Sequence, residues 1–125
     1  MTTKVIIDKA QGAAFIMRAG HIKLGEMVEG TKELESDFSF RNIRKALSDL
    51  SAADMSSIST DEFESYSHYC QKTLKGLKIA IVAPSDLSFG IARMLEILSD
   101  VEDIMVFRKM SEALLWLDVF LPEDY

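Results

Sequence analysis

The side chains best placed for chemistry in this 125-residue chain are Asp49 and Ser51 after one predicted strand, Ser85, Asp86 and Ser88 after the next, and Arg108 after the last. Serine hydroxyls and the free N–H groups of a helix N-terminus are equipped to hold an anion. Asp49 and Asp86 oppose that use, because a carboxylate beside a bound phosphate costs energy unless Arg108 or a metal offsets it. Arg93, one position off an apolar helix face, reaches the same rim or pairs with Glu96 on its own helix. Helix capping by Ser85 and solvated turns elsewhere explain the same residues without a ligand.

Other chemistries lack their parts. The sequence contains no G-x-S-x-G elbow, P-loop, H-E-x-x-H or dinucleotide glycine fingerprint. His21 falls in a predicted loop and His68 on the exposed side of a helix, so neither offers a base to a serine or cysteine. Cys70, the one cysteine, sits on a packing face; it permits no internal disulfide and no multi-thiolate metal site. Asp61-Glu62 and Glu123-Asp124 read as a helix first turn and a solvated tail. The expectation is a non-enzyme with no metal and no cofactor.

The elements that must position these residues are clearest from Lys78 onward. Ile79 to Ala83 is an unbroken apolar run, the mark of a parallel strand buried on both faces, and Pro84 and Ser85 then set up a helix. Leu87, Ile91, Met94, Leu95 and Leu98 recur with helical period. Ile104 to Phe107 is a second short strand, followed by a helical stripe of Met110, Ala113, Leu114 and Leu117. Upstream, Val5 to Ile7 and Ala13 to Arg18 flank a Lys9 to Gly12 turn and form an antiparallel hairpin. A helix from Lys23, frayed before Asp37, carries Gly25 and Gly30, each weakening it by about 1 kcal/mol relative to alanine. Packing must hold this helix, or it moves. Ile43 to Leu50 has strand length, with only Ala46 to Leu50 buried. Ser59 and Glu62 spell a capping box opening a helix from Thr60 to Lys75, and Gly76 ends it. The order β-β-α-β-α-β-α-β-α predicts a single α/β domain over 1–125, its mixed sheet five-stranded and largely parallel, with about four helices.

A net charge of −6 argues against nucleic acid and against simple electrostatic binding to anionic lipid. The N-terminus lacks a leader pattern and no apolar run is long enough to span a bilayer, so a cytoplasmic protein is expected.

Ala80 to Glu96 (AIVAPSDLSFGIARMLE) and Val106 to Leu117 (VFRKMSEALLWL), with weaker support from Ala46 to Ser51 (ALSDLS), resemble the SpoIIAA-like group of small bacterial proteins. That group is related to STAS domains and, more distantly in fold, to the lipid-binding Sec14 proteins. The resemblance implies a non-enzymatic module that binds a regulatory protein partner or a small ligand. Known antagonists of this type are switched by phosphorylation of a serine in a D-S-S-G motif. The nearest match here is Asp54-Met55-Ser56-Ser57-Ile58, making Ser56 and Ser57 candidate phosphoacceptors. An extra residue and Ile58 in place of glycine depart from the motif.

The Sec14 resemblance implies a second reading, a reversible binder of a lipophilic molecule with peripheral membrane contact, its helices at 23–35 and 60–75 swinging to open a pocket. Met17, Met27, Met94, Met105 and Met110, on faces predicted to be inward or half-covered, suit an adaptable apolar surface, though core packing uses them equally well. Trp116, Val119, Phe120 and Leu121 exceed what one face of the last helix needs, and a homodimer contact would use the surplus.

Overall fold

The structure, a computed structural model, describes residues 2–36, 42–99 and 103–125. Its strands are β1 (Thr2–Asp8), β2 (Ala13–His21), β3 (Lys45–Asp54), β4 (Lys78–Val82) and β5 (Ile104–Phe107), and its helices are α1 (Leu24–Ser36), α2 (Thr60–Thr73), α3 (Asp86–Ser99) and α4 (Met110–Leu117). The strands lie side by side in chain order; β1 and β2 are antiparallel and every later pair is parallel. The α/β class and the N-terminal hairpin are as the sequence predicts.

Chain order decides where the helices go. Crossovers of one hand, repeated across a sheet that never reverses direction, put every crossover helix on the same face. Met27 and Leu34 of α1, Phe63 and Cys70 of α2 and Ala92 of α3 accordingly share one core with Ile16, Leu50 and Ile81 of the sheet. The opposite side chains of the same strands, Phe15, Leu47 and Val82, pack with Ala113 and Leu117 of α4. A strand alternates its side chains, so each β residue serves one core or the other. Burying each large side chain stabilises the fold by roughly 1.5–3 kcal/mol.

Several expectations are corrected. β3 starts at Lys45 rather than Ile43 and runs to Asp54, so Asp49 and Ser51 lie within the strand, not in a loop after it. Its last residues continue to pair with β2, in the register Ala19↔Ala52 and His21↔Asp54, beyond a register shift between Met17 and Ala19. His21 is thus the end of β2, not a loop residue. On α3 the buried positions are Ser88 and Ala92, whereas Leu87 is 54% and Leu98 40% exposed. Small residues let the helix approach the sheet, and that rotates its packing face. Met105 points outward, 41% exposed. The surplus near the C-terminus folds back: Trp116, Val119, Leu121 and Tyr125 pack onto the α4 core, leaving Phe120 exposed. The Gln11 side-chain amide fixes this tail to the hairpin turn, its Nε2 donating to the Phe120 carbonyl at 2.8 Å and its Oε1 accepting from the Phe120 N–H at 2.9 Å. α1 runs to Ser36 without the fraying expected before Asp37, and Asp37 itself lies outside the described residues.

Candidate functional site

The expected rim forms only in part. Ser85, Asp86, Ser88 and Arg108 come together between the ends of β4 and β5, but they satisfy one another. Ser85 Oγ accepts from the Ser88 N–H at 3.1 Å and the two hydroxyls lie 2.6 Å apart, the geometry of a helix N-cap. Ser88 is buried. Arg108 Nη1 donates to Asp86 Oδ1 at 2.8 Å and to the Pro84 carbonyl at 3.3 Å, and its guanidinium covers the Phe89 ring at 4.3 Å. Arg93 turns to Glu96 at 2.9 Å, the local pair expected for it. Asp49 and Ser51 do not join this group. The Ser51 N–H donates to Asp49 Oδ1 at 3.0 Å, and Asp49 Oδ2 accepts from the Tyr125 hydroxyl. Burial, reinforced by that carboxylate, pushes the Tyr125 phenol far above its ordinary pKa. The sheet also has no point where strand order reverses, the feature that opens a crevice in doubly wound folds.

A second cluster went unforeseen. Ser57 Oγ lies in hydrogen-bond contact with His21 Nε2, and His21 Nδ1 is 3.3 Å from Asp54 Oδ2. The pairing of β2 with the end of β3 brings them together, so the expectation that no serine has a base beside it does not hold. Ser56 anchors the same corner, its N–H donating to Asp54 Oδ1 at 3.0 Å. Hydrogen bonds from Ser56, then from His21, hold the Asp54 carboxyl down at about 2. The connectivity is that of a Ser-His-Asp relay, but acyl transfer also needs free N–H donors for an oxyanion. The amides of Ser56, Ile58 and Ser59 are committed to Asp54, Met55 and Glu62. His21 and Asp54 are about half exposed, at 52% and 54%. The cluster is a solvated corner of the sheet.

The concave site lies elsewhere, between the sheet and α1, α2 and α3. A cavity of about 70 Å³ is lined there by apolar side chains such as Ile16, Met27, Met55, Phe63 and Ile81. Such a volume holds several waters, so the core here is not closed to native density. Cys70 and Tyr66 stand on its α2 wall. Burial pushes the Cys70 thiol up to about 11 and the Tyr66 phenol to about 12, while the nearby Arg18 cation pulls both the other way. Thr31 Oγ1 donates to the Met27 carbonyl at 3.0 Å, so its 3.0 Å contact with Tyr66 uses the tyrosine proton.

Arg18 is the polar residue that the strand pattern hid. It occupies the same face of β2 as Ala14 and Ile16, is 6% exposed, and lines the cavity. The parity of Ala14, Ile16 and Arg18 was the available signal. Among the described residues no cluster of metal-ligating side chains occurs, and no helix is long and apolar enough to cross a membrane.

No protein-family model and no curated protein matches the sequence. In three dimensions the chain is similar to the crystal structure of an uncharacterized protein from the DUF3478 family with a SpoIIAA-like fold, from Shewanella loihica PV-4. The two share a TM-score of 0.59 at 15% identity, over 93% of this chain and 92% of that one. The chain therefore has a SpoIIAA-like α/β fold, as the sequence resemblance implied.

Proposed function

We propose that this SpoIIAA-like protein is a non-enzymatic module that reversibly binds a small lipophilic molecule between its helices and its sheet. The observation that carries the reading is the cavity of about 70 Å³ inside the larger core, bounded by apolar side chains of three helices and the sheet. Apolar ligands enter such spaces because the walls have lost contacts that a ligand restores. α1 is the natural gate: Gly25 and Gly30 weaken it, and its ties to α2 are side-chain contacts such as Tyr69 Oη to Glu35 Oε2 at 3.3 Å. The rim expected from sequence competes poorly, since its charges and hydroxyls already satisfy each other.

Native mass spectrometry of protein purified gently from its host tests this. The expected result is a small-molecule adduct, released on denaturation; a ligand-free spectrum that stays so after soaking with apolar compounds contradicts the reading.

A partner surface has separate support. Leu115 is 83% and Phe120 69% exposed, side by side on the α4 face, and the homodimer expected from the sequence would cover them. Sedimentation of the wild type against Leu115→Glu checks this. The setting we infer for either role is the bacterial cytoplasm.

A further inference from the structure

We propose that the ligand is a monocarboxylate with a short apolar body, its carboxylate held by Arg18 and its hydrocarbon in the cavity. This rests on the lipophilic-ligand reading and adds the charge. Arg18 is buried, yet among the described residues no carboxylate pairs with it. Among the described residues its one hydrogen bond runs from Nη1 to Ser48 Oγ at 3.5 Å, at the limit of a real contact, and its Nε finds no partner there. A buried cation without a counter-charge is costly, and neutral hydroxyls do not neutralise it.

The surroundings are shaped around that charge. Thr3 stands opposite Arg18 in the β1–β2 register, and its Oγ1 is also buried with no partner among the described residues. Across the other edge of β2, the register shift of β3 falls at Arg18. Such irregularities re-aim side chains and concentrate near functional sites. Overhead, α1 passes with Gly30, where an added Cβ would come within 3.4 Å of Arg18 Nη2 and 3.9 Å of Thr3 Cγ2. The helix backbone thus lies close over the guanidinium, with no side chain filling the gap.

One guanidinium fork matches one carboxylate, whose two oxygens accept parallel N–H bonds. Ser48, which accepts from Arg18, keeps its own proton to donate, and Thr3 offers a second hydroxyl. A phosphate dianion would need further cations, and Arg18 is the only charged side chain among the described residues that line the cavity. A bridging water would satisfy the hydrogen bonds but leave the charge uncompensated.

Calorimetric titration with hexanoate and hexan-1-ol, on the wild type and on Arg18→Met, tests the proposal. Hexanoate should bind the wild type about tenfold or more tighter than the alcohol. Arg18→Met should abolish that preference. Equal affinities in the wild type, or hexanoate binding that survives in Arg18→Met, overturn the carboxylate assignment and leave the lipophilic reading standing. Binding of neither probe overturns both. The wild-type comparison decides even if the variant fails to fold.

Discussion

Thr3 and Arg18 face each other across the β1–β2 ladder, and each holds a buried side-chain atom, Oγ1 in one and Nε in the other, that nothing among the described residues satisfies. Other buried polar side chains of this core find partners: Thr31 bonds the Met27 carbonyl, and Ser67 bonds the Phe63 carbonyl at 2.8 Å. Native proteins rarely leave such groups orphaned, so two adjacent exceptions under one helix identify a place rather than a defect.

The first consequence concerns stability. Replacing an unpaired buried cation by an apolar side chain of similar length removes a desolvation penalty. Arg18→Met should raise the unfolding free energy of the ligand-free protein by about 1–3 kcal/mol in urea titrations. A loss of stability would mean that the guanidinium is compensated in the free protein.

The two glycines of α1 should behave differently. Nothing lies within 4 Å of a Cβ built at Gly25, so Gly25→Ala should gain about 0.5–1 kcal/mol from helix propensity alone. At Gly30 the same gain is opposed by contact with Arg18 Nη2 at 3.4 Å. Gly30→Ala should therefore stabilise less than Gly25→Ala and weaken hexanoate binding, whereas Gly25→Ala should leave binding unchanged. Thermal melts and calorimetry on the pair separate the two effects.

Acid sensitivity should trace to Asp54. Its carboxyl is lowered from 3.8 to about 2 in the folded protein, by Ser56 first and His21 after it. A depressed carboxyl stabilises the fold above its unfolded pKa, and that contribution is lost as pH falls through the folded value. Between about pH 4 and pH 2 the wild type should lose stability that Asp54→Asn never had. The difference between their urea midpoints should shrink across that window; a constant difference would show that the carboxyl is not depressed.

Ser85 separates capping from ligand binding. Its Oγ accepts the Ser88 N–H at the start of α3, so Ser85→Ala should cost about 1 kcal/mol, as lost caps do. Hexanoate affinity should not change. Reduced affinity with unchanged stability would return the site to the strand ends.

Much of the architecture was legible because buried parallel strands leave little choice: Ile79 to Ala83 and Ile104 to Phe107 have no polar face to mislead, and Ser59 with Glu62 forms the capping box the spacing requires. What escaped was set by tertiary pairing. The Ser51–Asp54 segment lacks β-branched residues and reads as a connection, yet it is held as strand by β2, and that placement alone brings His21 to Ser57. On α3 hydropathy favoured Leu87 and Leu98 over Ser88 and Ala92, because a sequence does not display how closely a helix must approach its sheet. Arg18 figures in the sequence only as the last residue of the predicted second strand. A charge ordinarily marks the surface, and only the placement of α1 over the sheet makes this one internal.

The decisive measurement is a methyl-resolved NMR titration of the wild type with hexanoate. If the cavity is the binding site, methyl signals of Ile16, Met27, Met55 and Ile81 should shift together and saturate, while those of Leu47 and Leu117 in the α4 core stay in place. Shifts confined to the α4 side, or none at all, would contradict a ligand between the helices and the sheet.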